Sequence, residues 1–269
     1  MSLKKWGILF LVVVFSLVLV VGCDGETDDE DATNGSGDEI ADDTTAEGDY
    51  RDGVYTAVSQ FSRGYVEATV NISNDEITDV SFVEYTDLGV EKIYEDYHQR
   101  FPMLEEAHDT LAAEMVNNNS WDVDVVTGAT STSNKAMEAV KFALEKASTD
   151  ARDATYFDGT FFGMSAVGER GWGIAHVTIE NDEIVDVKLE ETTAASDEDG
   201  EAVYDAVDRQ VFELKDEDYG WDAYHEAQDI IAERILEAKS PQVDTYTEAT
   251  GSSNMWMEAV EDALNKARI

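Results

Sequence analysis

Asp124-Val-Val-Thr-Gly-Ala-Thr-Ser-Thr-Ser-Asn-Lys-Ala136 packs five hydroxyl residues around one glycine, directly ahead of a helical stripe of Ala136, Met137, Val140, Ala143, Leu144 and Ala147. Apolar residues at three- and four-residue spacing mark one face of a helix. Small hydroxyl residues before such a face read as a turn and an N-cap. Much of the phrase returns as Asp244-Thr-Tyr-Thr-Glu-Ala-Thr-Gly-Ser-Ser-Asn-Met-Trp256. Thr127 to Ala147 aligns with Thr247 to Ala267 without a gap, identical at thirteen of twenty-one positions. Many sequences can build a cap, so a repeated one asks for a second explanation.

The repetition extends beyond this stretch. Asp52-Gly-Val-Tyr55 answers to Asp158-Gly-Thr-Phe161, and Asn74 to Val80 answers to Asn181 to Val187. Units of roughly 100 residues are too long for a solenoid and indicate two homologous domains. Tyr65 to Ile72 and Gly173 to Glu180 alternate with β-branched enrichment, as half-buried strands do. Asn-Asp-Glu then makes a turn into returning strands over Ile77 to Tyr85 and Ile184 to Leu189. Helical patterns follow over Met103 to Val116 and Ala223 to Ala238. The fold class is α+β: two small domains, each a twisted, mainly antiparallel sheet packed against helices. They span residues 50–149 and 155–269, with a short polar join between.

Ahead of the domains, Lys4 and Lys5 precede a sixteen-residue, mostly apolar run from Trp6 to Val21, then Gly22 and the only cysteine, Cys23. This is the layout of an export signal over residues 1–22. Val20-Val21-Gly22-Cys23 resembles a bacterial lipobox, whose cysteine is lipidated and becomes the mature N-terminus. A membrane anchor with a chance cysteine is the other reading, although a span needs about 20 apolar residues. Residues 23–49 read as a disordered acidic tether, since Asp24 to Asp49 holds twelve acidic residues and no Lys or Arg. The whole chain of 269 residues carries a formal charge of -42. That excludes nucleic acid as a partner, because such binding runs on Lys and Arg releasing phosphate counterions. It suits a halophilic setting, where about 1 M salt shortens the Debye length to about 3 Å; simple solubility is the alternative.

Asp124-x-x-Thr127-Gly128-Ala129-Thr130 resembles the covalent flavin-attachment motif of the FMN-binding domain family. That family includes the exported flavin subunits C and G of sodium-pumping NADH:quinone reductases and Rnf complexes. The resemblance implies a phosphoester between FMN and Thr130, installed by a separate flavin transferase from FAD. Asp124, Thr127, Gly128 and Ala129 are the matching motif positions. Asp244-x-x-Thr247-Glu248-Ala249-Thr250 keeps the spacing and implies Thr250 as a second acceptor, with Asp244, Thr247 and Ala249 in register. It departs from the pattern at Glu248, which crowds the transferase's approach and puts a negative charge near the incoming phosphate.

The residues support this independently. A phosphate at a helix start meets unpaired N–H groups and the positive end of the helix dipole. Ser131 to Asn134 supply small polar capping groups there. Asp124 either orients the threonine hydroxyl or helps to bind a metal during transfer. A covalent bond also suits an exported protein, which would lose a dissociable cofactor to a large volume. Tyr55, Phe61, Tyr65, Phe161, Phe162, Trp172 and Trp256 are candidates either to face a flavin ring or to fill cores. His98, His108, His176 and His225 are scattered without a metal-ligand motif, and no nucleophile elbow or nucleotide loop is present. The expectation is an electron-carrier module on the extracytoplasmic face of the cell membrane, serving a membrane donor and an extracytoplasmic acceptor. The alternative is a surface lipoprotein that binds a noncovalent ligand or a protein, its Thr-rich turns acting only as caps.

Overall fold

The structure, a computed structural model, describes residues 48–269 except 99, 151, 206–208 and 216–217. The signal, Cys23 and all but the end of the acidic tether lie outside the described residues. No helix among the described residues is long and apolar enough to cross a membrane.

Each repeat begins with a strand that sequence reasoning did not assign, β1 (Gly53–Val58) and its counterpart β4 (Gly159–Met164). The expected pairs follow: β2 (Tyr65–Ser73) with β3 (Glu76–Tyr85), and β5 (Gly173–Glu180) with β6 (Glu183–Ala194). The first sheet has the antiparallel order β1-β2-β3. The second adds a short strand, β7 (Phe212–Leu214), against the end of β6. Two-residue turns close the central hairpins. Asn74 and Asp75 sit at φ 53° and 65°, and Asn181 and Asp182 at 52° and 65°. Positive φ at both central residues is the type I′ geometry that matches strand twist, and Asn and Asp tolerate it best.

In the first repeat a single turn, α1 (Tyr94–Tyr97), precedes α2 (Leu104–Asn118) and α3 (Thr130–Ala147). In the second, α4 (Asp222–Ala238) and α5 (Thr250–Ala267) take the places of α2 and α3. α3 lies across β1 and β2, and α2 covers β3; α5 and α4 stand in the same relation to β4, β5 and β6. The apolar stripe predicted after the Thr-rich turn is buried: Ala136, Val140, Ala143, Leu144 and Ala147 all face the sheet.

The two repeats share one continuous core. Phe61 N–H donates to the Thr160 carbonyl at 2.8 Å, and its ring stacks on Phe162 at 5.6 Å. Trp172 Nε1–H donates to the Leu88 carbonyl at 3.0 Å. The Lys266 ammonium sits 4.8 Å above the Tyr65 ring.

Candidate functional site

The motif fills the connection between α2 and α3. Ala129 N–H closes a turn onto the Val126 carbonyl at 3.0 Å, with Gly128 at φ 87°. Positive φ at the third position marks a type II turn and explains the glycine, since an L side chain is strained there. Beyond its two chain neighbours, no atom of the described residues lies within 4 Å of where a Gly128 Cβ would stand, so the ground beside the turn is open.

α3 starts at Thr130, with Ala129 as its N-cap and no side-chain cap hydrogen bond. This corrects the expectation that Ser131 to Asn134 supply caps. One of them, the buried Ser133, does something else. Its hydroxyl accepts the Val126 N–H at 3.1 Å and donates to the Ala129 carbonyl at 3.0 Å, fastening the turn to the helix. The first backbone bond of the helix runs from Ser133 N–H to the Ala129 carbonyl at 2.9 Å. The N–H groups of Thr130, Ser131 and Thr132 therefore lack intrahelical acceptors. Thr130 is exposed, and among the described residues its hydroxyl bonds to no protein atom. A free hydroxyl thus stands beside three orphan donors at the positive end of an eighteen-residue helix. Asp124 and Thr127 are exposed on the same loop, and no bond joins the Asp124 carboxylate to Thr130.

The second copy keeps the fastening and changes the turn. Tyr246 N–H donates to the buried Ser253 hydroxyl at 3.1 Å, and Ser253 donates to the Ala249 carbonyl at 2.9 Å. However, Thr247–Ala249 forms a 3-10 turn, and Glu248 is not among the residues with positive φ. The glycine-dependent turn is replaced by one that any residue adopts, so Glu248 is accommodated without strain. The Thr250 hydroxyl is exposed like that of Thr130 but donates to the Thr247 and Tyr246 carbonyls at 3.2 and 3.4 Å. Asp244 is exposed too.

One turn into α3, sequence reasoning missed a buried charged cluster. Lys135 Nζ lies 2.6 Å and Lys92 Nζ 2.8 Å from Glu84 Oε1 on β3. Glu84 Oε2 faces His108 Nε2 at 3.6 Å, too far for a hydrogen bond, and His108 Nδ1 meets the Tyr94 hydroxyl at 2.8 Å. Burial pushes the Glu84 carboxyl up, but His108, Lys135 and Lys92 outweigh it and hold the group well below the carboxylate range. Burial also pulls the Lys135 ammonium down, with Glu84 opposing. In the second repeat, among the described residues, the Glu191 carboxylate is bonded by Lys215 alone. The signal for this cluster was available, because Glu84 and Glu191 occupy equivalent repeat positions.

Of the ring-stacking candidates, Tyr65, Phe161, Phe162, Trp172 and Trp256 are core residues, each no more than 3% exposed. Only Tyr55 and Phe61 are partly exposed, and neither lies on a motif loop. His176 pairs with Glu190 at 2.9 Å, and His225 meets the Tyr219 carbonyl at 2.8 Å. His98 is exposed, and no metal-binding cluster exists among the described residues.

The chain matches the FMN-binding domain over residues 63–145 and again over 171–265, together more than half its length. It belongs to the FMN-binding domain family. The two matches coincide with the two repeats, so the chain is a flavin-binding protein with the domain in tandem. Among solved structures, the CPE2226 protein from Clostridium perfringens is similar at 24% identity, over 36% of this chain and 88% of its own, with a TM-score of 0.32. No curated protein matches.

Proposed function

We propose that this chain is an exported, lipid-anchored flavoprotein that carries FMN in phosphoester linkage on Thr130, and a second FMN on Thr250. It passes electrons at the outer face of the cytoplasmic membrane. The observation that carries this reading is the Thr130 hydroxyl, free and exposed at the first position of α3 beside an open glycine turn. The residues fit the phosphodiester that joins FMN to a threonine. Three orphan N–H groups and the helix dipole favour its negative charge, and Ser133 holds the turn so that the donors are already in place.

Attachment from FAD balances simply. The Thr130 oxygen bonds to the flavin-side phosphorus, the pyrophosphate P–O bond breaks, AMP leaves, and the hydroxyl proton passes to a base supplied by the transferase. Bound FMN then supplies reversible uptake and release of electrons. Lipidation at Cys23 would keep the protein at the membrane, as the ester keeps the cofactor on the protein. The donor on this view is a membrane oxidoreductase, and the acceptor an extracytoplasmic reductase. The rival, a binding lipoprotein whose Thr-rich turns are only caps, draws no support from α3 or α5, neither of which has a side-chain cap.

The test is direct. The protein is produced with a flavin transferase, denatured, run on a gel and inspected for flavin fluorescence. A fluorescent band whose intact mass falls by one FMN in Thr130→Ala is expected. A dark band, or an unchanged FMN mass in that variant, refutes the assignment.

A further inference from the structure

The two repeats differ electrostatically in one consistent direction. The buried clusters are built alike: Lys92 N–H donates to the Glu84 carbonyl at 2.8 Å, and Lys215 N–H to the Glu191 carbonyl at 2.9 Å. Each carboxylate is then neutralised by that lysine's ammonium. The first repeat adds a second buried ammonium, Lys135, on the helix that begins at Thr130. It also places His108 against the free oxygen of Glu84. At the equivalent positions the second repeat has Met255 and Gln228, and Gln228 is turned away to bond the Leu189 carbonyl. The first cluster therefore carries one positive charge more than the second, even with His108 neutral. Lys135 stands five positions along the helix from Thr130, a rise of about 7.5 Å.

The exposed charges point the same way. Leaving aside the buried Lys135, Thr127 to Ala147 holds two lysines against two glutamates, while from Thr247 to Ala267 one lysine faces four carboxylates. One of those four is Glu248, two residues from Thr250 and exposed.

Resting on the attachment reading above, we infer that the two flavin sites are unequal: the Thr130 site is the electron acceptor and the Thr250 site the donor within one chain. Positive charge favours the form of a flavin that has gained electrons, and negative charge disfavours it, so the Thr130 site has the higher potential. In the intrachain step the reduced flavin on Thr250 is oxidised and the oxidised flavin on Thr130 is reduced by the same electron pair, with protons exchanged with solvent. The external donor then meets the second repeat, and the external acceptor draws from the first. The two contributions separate by salt. A buried ammonium is screened little, whereas exposed carboxylates are screened strongly.

Single-flavin proteins, Thr250→Ala and Thr130→Ala, test this once intact mass shows one FMN on each. Their midpoint potentials are read by spectroelectrochemistry in low salt and in molar salt. The Thr130-bound flavin is expected to be the higher in both. Lys135→Met lowers it in both conditions. Met255→Lys raises the Thr250-bound flavin in both, and the exposed Glu248→Gln raises it in low salt only. Equal or inverted potentials, or a Thr130 site unmoved by Lys135→Met, overturn the inference. A chain that accepts FMN on one threonine only also overturns it, because no intrachain relay then exists. Absence of FMN mass from both variants defeats the attachment reading itself.

Discussion

Glu84→Leu should be far more damaging than Lys135→Met, although the two side chains share one hydrogen bond. The Glu84 side chain is 2% exposed and bonds two ammonium groups, with His108 3.6 Å from its other oxygen. Replacing it with leucine leaves Lys135, 8% exposed at the side chain, without a counter-charge. Removing one partner of a buried ion pair costs about 3–5 kcal/mol, mostly for the charge left behind. Lys135→Met instead recreates the arrangement of the second repeat, where Lys215 alone neutralises Glu191 beside Met255. Its cost is one charge-assisted hydrogen bond less the gain from burying methionine, about 1–2 kcal/mol. The double variant should recover part of the Glu84→Leu loss, since Lys92, at 13% exposed, can turn its head to water. Urea unfolding at neutral pH and fixed salt measures all three. If Lys135→Met costs as much as Glu84→Leu, or the double variant is worse than Glu84→Leu, the reasoning fails. The pH dependence supplies a second check. The Glu84 carboxyl is depressed in the fold, so its contribution is fully present above its ordinary value of 4.5 and is lost as pH falls toward the folded value. The stability gap between wild type and Glu84→Leu should therefore narrow below about pH 4.5.

Three further outcomes are expected. Gly128→Glu places a side chain at φ 87°, costs about 1–2 kcal/mol of local strain and should reduce FMN incorporation at Thr130 while leaving Thr250 unaffected, as site-resolved mass spectrometry would show. Ser133→Ala removes one buried and one partly buried hydrogen bond, costs about 1–3 kcal/mol and should speed hydrogen exchange at the Val126 amide, with Ser253→Ala doing the same at Tyr246. Trp172→Phe loses the bond to the Leu88 carbonyl across the repeats, which should lower unfolding stability by about 1 kcal/mol and leave FMN content unchanged.

Period carried most of the sequence reading. Alternation marked β2 and β5, the Asn-Asp pairs marked the hairpin turns, and the stripe after Thr130 marked α3. Because these signals are local, repeating them exposed the tandem architecture. β1 and β4 escaped because six-residue strands containing glycine carry little alternation, and their identity comes from pairing with β2 and β5. The capping prediction failed for a related reason. Composition told that hydroxyls precede a helix, but whether each faces the backbone, a neighbour or solvent depends on the turn, and at Ala129 the turn leaves Thr130 outward and Ser133 inward.

By itself, then, the sequence determined the two α+β repeats, because those follow from periodicity along the chain, while the motif positions and candidate threonines rest on its resemblance to the FMN-binding domain family. Tertiary structure decided the rest. It brought Lys135, Lys92 and His108 from three separate segments onto one carboxylate, a meeting that no spacing encodes. It also separated Gly128 from Glu248. Identical spacing allows either turn, and only the backbone torsions reveal that one is glycine-dependent and the other is not.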